Sequence, residues 1–280
     1  MSPLLSMVVI LLLVMHWARI KDRNMTLQRW KITLEYRGTD YAGWQRQIDV
    51  PSIQQAIEDA ITKFCQQDIP VTVAGRTDAS VHAKGQVCHF DLDYGDRPLD
   101  GYSLMKAINY HLLPQPISVI HAETVHNEFH ARFDAVNKLY RYHVIQRPSF
   151  LCHDRGAAWH FKRALNVEAM HEAAQLLLGK HDFTTFRDSE CQANSPIKTL
   201  DRLDVTKREY DAYGGVEVIF ETEGRSFLHH QVRNMVGTLM LIGEGKWEKD
   251  DLTAALKARN RQAGGVTAPA EGLYLVRVDY

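Results

Sequence analysis

The segment Ala74-Gly-Arg-Thr-Asp-Ala-Ser-Val-His82 gathers an arginine, an aspartate and a histidine among small residues. Small side chains let a ligand approach the backbone closely. Arg76 and Asp78 are two apart, so an extended backbone would turn both to one side. A nearby arginine keeps an aspartate ionised even in a dry pocket. An ionised, positioned carboxylate serves as a nucleophile, a general base or an electrostatic stabiliser. The competing reading is a loop aspartate satisfied by turn amides.

Two further clusters carry chemistry. Phe129-His-Ala-Arg-Phe133 is followed by Lys138-Leu-Tyr-Arg-Tyr142, and seven Lys/Arg against two acids lie between His130 and Arg163. Cations interleaved with aromatic rings suit RNA, through phosphate contacts and base stacking. A strand with a solvated basic face would read the same way. The third cluster is Gly224-Arg-Ser-Phe-Leu-His-His-Gln-Val-Arg-Asn-Met-Val-Gly237, in a stretch without an acid from Gly224 to Gly243. A basic residue in an otherwise apolar helix needs a partner, because a lone buried charge is costly. Asp78 is the candidate partner for Arg233; the bland alternative is that Arg233 reaches solvent. Two metal readings are set aside. Adjacent His229 and His230 would project in different directions on a helix. His181-Asp182 lacks the further histidines and distal aspartate of a metal phosphohydrolase.

The elements that position these residues follow from periodicity. Lys31–Tyr36 alternates as a first strand. Ser52-Ile-Gln-Gln55 is a capping box opening a helix through Ile53, Ala56, Ile57, Ala60, Ile61 and Phe64. Val71–Ala74 and Gln86–Leu92 read as strands. Leu104, Ala107, Ile108 and Leu112 mark a helix ended by Pro114, and Ile117–Ile120 a strand. A second series runs through strand Leu139–Gln146, helix Asn166–Leu178 closed by Gly179, strands Leu200–Lys207 and Val216–Glu223, helices Phe227–Ile242 and Leu252–Ala258, and strand Leu273–Val278. The pattern is β-α-β-β-α-β twice. It predicts an α+β fold of two ferredoxin-like halves, 25–135 and 136–280, with tight packing because no Pro/Ser-rich linker divides them.

Composition sets bounds. The chain has 280 residues, 45% hydrophobic and 24% charged, with 33 Lys plus Arg against 34 Asp plus Glu. That is a globular composition, and a net charge of −1 makes any nucleic-acid face a local one. Four scattered cysteines fit reduced thiols and a cytoplasmic protein. Leu4–Met15 is too short for a membrane span, which needs about 20 residues. Residues 1–24 are expected to lie outside the fold, with a membrane anchor as the competing reading.

Together these segments resemble the bacterial tRNA pseudouridine synthase A family, from about Trp30 to Tyr280. Its markers here are Tyr41-Ala-Gly-Trp-Gln-Arg-Gln47, the Ala74–His82 loop, Asn109, Phe129–Phe133, Tyr140-Arg-Tyr142, Gly179-Lys-His-Asp-Phe-Thr184, Phe227–Gly237 and Ala270-Glu-Gly-Leu-Tyr-Leu275. The resemblance implies a pseudouridine synthase fold with a central mixed, mainly antiparallel sheet flanked by helices. It implies isomerisation of uridine to pseudouridine at positions 38, 39 and 40 of the tRNA anticodon stem-loop. Asp78 would be the catalytic aspartate with Arg76 beside it and Arg233 paired to it. Tyr140 would lie under the target base, and Leu273 would line the pocket. Arg132, Arg141 and Arg155 would grip phosphates. The resemblance brings a homodimer and neither cofactor nor metal; no membrane is expected. One departure is Ser80, where the family usually has glycine, which would stiffen the loop; another is residues 1–24, which have no counterpart. Two alternatives remain at this stage, a non-catalytic RNA-binding protein and a metal phosphohydrolase.

Overall fold

A computed structural model describes residues 27–95 and 98–280. The apolar segment 1–24 lies outside the described residues. The chain forms a nine-stranded sheet, a two-stranded sheet and five α-helices among those residues.

The first series is β1 (Leu27–Tyr36), α1 (Ile53–Cys65), β2 (Thr72–Val73), β3 (His82–Asp93), α2 (Gly101–Leu112) and β4 (Ile117–Val125). Ser52 caps α1, its hydroxyl accepting from the Gln55 amide at 3.3 Å. The buried positions Ile53, Ala56, Ile57, Ala60 and Ile61 form the face that helical spacing predicts. β1 and β3 are longer than the alternation suggests. Their antiparallel register runs from Leu27↔Asp93, and Arg29 and Asp91 close it with an ion pair at 2.7 Å.

The second series is β5 (Asn137–Gln146), β6 (Trp159–Phe161), α3 (Val167–Ala174), β7 (Gly179–Asp182), β8 (Ile197–Leu200), β9 (Arg202–Glu209), β10 (Val216–Gly224), α4 (Gln231–Gly243), α5 (Lys249–Ala258) and β11 (Leu273–Asp279). Two differences from the sequence reading stand out. The β7–β8 hairpin and β6 are short pieces with too few residues to show a period. The helix expected from Phe227 begins only at Gln231, because His230 takes the left-handed conformation at φ 60°.

The sheet order is β4-β1-β3-β11-β5-β10-β9, with β2 also on β3 and β6 also on β5. Each series therefore repeats one strand order: β4-β1-β3-β2, then β11-β5-β10-β9. All pairings are antiparallel except β3–β11 and β5–β6. β2 covers β3 only at Thr72↔His89 and Val73↔Cys88. The start of β3 is thus left free, and β11 pairs there at Tyr274↔His82 and Leu275↔Ala83. The loop from β2 to β3, residues 74–81, falls at this seam between the two series. Among the described residues, no helix is long and apolar enough to cross a membrane.

Candidate active site

The loop carrying Asp78 is held from several sides. The Gln86 amide donates to the Gly75 carbonyl at 2.8 Å, and Lys138 Nζ donates to the Ala74 carbonyl at 2.8 Å. Thr77 shares a buried hydrogen bond with the Tyr36 hydroxyl at 2.8 Å, and the Trp44 amide donates to the Thr77 carbonyl at 3.0 Å. Gly43 has φ +95°, and a Cβ there would stand 2.6 Å from the Thr77 carbonyl oxygen. Only glycine lets this supporting loop approach so closely. Ser80 has φ 63°, the conformation that a glycine adopts without strain. Its hydroxyl reaches the Thr39 carbonyl at 3.3 Å.

Asp78 opens onto a cleft of about 1420 Å³ together with Arg76, Arg132, Tyr140, Arg233 and Leu273. Its carboxylate meets Arg233 Nη1 at 3.3 Å, which is the pairing that an acid-free helix requires. Arg233 Nε is spent on the Ala268 carbonyl at 2.8 Å. Two histidines reach the same carboxylate, His229 Nε2 at 3.2 Å and His230 Nε2 at 3.3 Å. Burial pushes the Asp78 carboxyl up, but the hydrogen bond and charge of His230, then His229 and Arg233, outweigh it. The net effect holds Asp78 below the usual aspartate range and so ionised at neutral pH.

The convergence of His229 and His230 corrects the sequence argument that adjacent histidines point apart. Both lie in the turn before α4, and their rings stand 4.0 Å apart between centroids. With Asp78 they offer three ligand atoms within 4.8 Å of one another. A cation there would face the Arg233 guanidinium across the same carboxylate. We therefore read the group as an ion-pair network and place no metal on it.

Tyr140 is almost fully buried, edge-on to Phe227 with ring centroids 5.1 Å apart. Burial, with smaller contributions from Tyr36 and Asp78, raises its hydroxyl well above the usual tyrosine range. It stays a protonated phenol at any physiological pH. Leu273 is buried in the cleft wall. Arg76 is exposed at the cleft and makes no ion pair or hydrogen bond among the described residues. Arg132 is exposed beside the Phe133 ring, 5.9 Å from its centroid, and both line the cleft.

Two predicted phosphate contacts fall elsewhere. Arg141 alternates with Tyr140 on β5 and so points to the opposite face of the sheet. There Glu221 accepts from it at 2.9 Å and 2.5 Å, so its charge is already matched. Arg141 is therefore held by Glu221 on the face away from the cleft. Arg155 is exposed outside the cleft, where its carbonyl accepts from Arg37 at 2.8 Å.

Three cleft or near-cleft residues went unassigned in the sequence reading. Lys138 is buried with its Nζ against the loop that carries Asp78, and burial pushes its ammonium down to about 8. His230 bonds Asp188 at 2.7 Å through its second nitrogen. Asp188 lies 42 residues before His230, and no spacing rule links them. The one available signal was the acid-free basic run itself, which called for more than one carboxylate.

The family described as tRNA pseudouridine synthase matches residues 32–134 and 173–280. The chain is 51% identical over 254 residues to tRNA pseudouridine synthase A of Bradyrhizobium diazoefficiens, covering 91% of this chain and all of that protein. It is 53% identical to tRNA pseudouridine synthase A of Rhodopseudomonas palustris strain BisA53 and 50% to that of Rhodospirillum centenum, each over the same share of both chains.

Proposed function

The chain belongs to the tRNA pseudouridine synthase family and isomerises uridine to pseudouridine in tRNA, and from that premise we propose that its targets are positions 38, 39 and 40 of the anticodon stem-loop, with Asp78 as the reacting carboxylate. The reaction is an isomerisation. The bond between ribose C1′ and N1 of the base breaks, a bond from C1′ to C5 forms, the C5 proton leaves and N1 gains one. No electrons enter or leave, so side chains suffice.

An ionised carboxylate serves each available route: attack on C1′, removal of a ribose proton toward a glycal, or addition to C6. The observation that carries the proposal is an aspartate kept ionised by Arg233, His229 and His230 yet open to a cleft of about 1420 Å³. That volume admits a nucleotide turned out of its stack, at a cost of a few kcal/mol. Tyr140, edge-on to Phe227, presents its ring to the base, and its hydroxyl relays the C5 proton, accepting it on a lone pair as its own proton passes to solvent. Arg76 and Arg132, without an ion pair at the cleft among the described residues, take phosphates, and Arg155 extends that contact outside it. A homodimer acting in the cytoplasm, without cofactor or metal, completes the reading.

The test is Asp78→Asn, which keeps size and removes charge and nucleophile. Pseudouridine formation in unmodified tRNA, detected by carbodiimide primer extension, is expected to vanish. tRNA affinity should stay within a few-fold, because phosphate contacts dominate binding. Sustained turnover by this variant, with reversion to aspartate excluded by mass spectrometry, would remove Asp78 from the reaction.

A further inference from the structure

Beside the cleft, two histidines stand between two carboxylates. His230 turns Nδ1 to Asp188 at 2.7 Å and Nε2 to Asp78 at 3.3 Å. His229 makes the same bridge more loosely, at 3.7 Å and 3.2 Å. An ionised carboxylate only accepts hydrogen bonds, so both His230 nitrogens must carry protons for both contacts to be bonds. A neutral His230 donating to Asp188 would aim the Nε2 lone pair at Asp78 instead. The arrangement is that of an imidazolium clamped between two acids.

The backbone is distorted to build it. His230 has φ 60°, a left-handed conformation that is strained for a side chain with a Cβ and persists only when its surroundings impose it. Those surroundings are on both sides of the turn. The Asp188 amide donates to the His229 carbonyl at 3.1 Å, and the His229 amide to Cys191 Sγ at 3.3 Å. The Glu190 amide donates to Asp188 Oδ1 at 2.8 Å, fixing that carboxylate. The charged groups facing His230 are Asp78 from the β2–β3 loop, Asp188 from the segment after Phe186, the adjacent His229, and Arg233 in the first turn of α4.

We infer that Asp188 and His230 are positioning residues of this enzyme: Asp188 holds His230 with its Nε2–H toward Asp78, and that donor orients the carboxylate for reaction. The inference rests on Asp78 being the reacting group. It has a pH consequence. The Asp78 hydrogen bond, first of all, raises His230 above the usual histidine range; burial and Arg233 oppose this, and Asp188 assists. The orienting proton is present below that raised value and is lost as pH rises through it.

Asp188→Asn tests the clamp: Oδ1 remains for the Glu190 amide, while the Oδ2 that accepts from His230 Nδ1 becomes an amide NH2, so both the charge and that acceptor are lost. Single-turnover rates on tRNA are measured from about pH 5.5 to 9, spanning histidine titration. The expected result for Asp188→Asn is a rate about tenfold lower at the alkaline end, unchanged KM, and a high-pH limb moved acidward by about one unit. His230→Gln offers a donor that does not titrate, so it should retain part of the rate and lose the limb. In parallel, imidazole nitrogen NMR follows His230 itself, assigned by its loss in His230→Gln. Its titration should move down in both Asp188→Asn and Asp78→Asn. The inference is overturned if Asp188→Asn and His230→Gln keep the wild-type rate and profile, or if the His230 titration ignores Asp188. Activity of Asp78→Asn would sink the reading of Asp78 separately, while the NMR still reports on the clamp.

Discussion

Asp78 is surrounded more completely than its neighbours in sequence suggest. The sequence reading gives it Arg233 as a partner with Arg76 beside it, and neither histidine. The structure changes that expectation. His229 and His230 remain when Arg233 is truncated to alanine, and His230 lowers the Asp78 carboxyl more than Arg233 does. Asp78 therefore stays ionised at neutral pH in Arg233→Ala. Its titration rises only part of the way toward the usual range, so the acid limb of the rate profile moves to higher pH. Orientation is what the variant loses, since both Nη1 to Asp78 and Nε to Ala268 disappear. A loss of about 10- to 100-fold in single-turnover rate is expected at neutral pH, equivalent to about 1.4–2.8 kcal/mol. Arg233→Lys should fall between the two, keeping charge without the forked geometry. An acid limb unmoved in Arg233→Ala would show that the guanidinium does not act on Asp78.

Among the elements, β10 shows how the far face of the sheet is stabilised. Glu217 on β10 accepts from His143 on β5 at 2.5 Å and from Arg208 on β9 at 2.5 Å. Its side chain is only 10% exposed. The His143 hydrogen bond foremost, against burial and with help from Arg208, pulls its carboxyl down to about 2. A carboxyl depressed in the folded state stabilises above its unfolded value, and that stability is lost as pH falls through the folded value. The window therefore runs from the ordinary 4.5 down to about 2. Glu217→Gln should be less stable than wild type by about 2–3 kcal/mol at neutral pH, by urea denaturation. The gap should close as pH is lowered through that window. A gap independent of pH would assign the loss to packing instead of charge.

At the scale of the whole molecule, the site depends on the seam. Asp78 comes from the first β-α-β-β-α-β series, while Tyr140, His229, His230 and Arg233 come from the second. The two are joined in the main sheet by β3 and β11, paired at two positions. Gly85 lies just beyond that pairing, and a Cβ there would stand 2.4 Å from the Val276 carbonyl oxygen. Backbone cannot yield as a flexible side chain does, so Gly85→Ala must spread the strands. A stability loss of about 1–3 kcal/mol is expected from such overpacking. Turnover at a temperature where the variant is fully folded should fall as well, because Asp78 and Arg233 shift relative to each other. Thermal denaturation and single-turnover rates on one preparation check both. Wild-type turnover in a destabilised Gly85→Ala would show that the seam holds the fold without setting the site.

What the chain determined by itself was local. The buried face of α1, the alternation of β1 and the end of α2 before Pro114 each follow from spacing that a reader of residues can count. So did the need of Arg233 for a buried partner, since a charge amid apolar neighbours is costly wherever the helix packs. The small-residue loop at Asp78 was legible for the same reason. Other features were decided only in three dimensions. Arg141 read as a free cation, yet Glu221, 80 residues away, faces it across the β5–β10 ladder and matches its charge. The His229-His230 pair read as divergent because helical geometry was assumed; the left-handed turn at His230 brings the rings together instead. Nothing in its own spacing singled out Asp188, 42 residues from His230; the acid-free basic run said only that carboxylates were needed. Periodicity reports a residue's immediate surroundings along the chain, whereas the partner of a charge is set by which strands and turns the sheet order brings side by side.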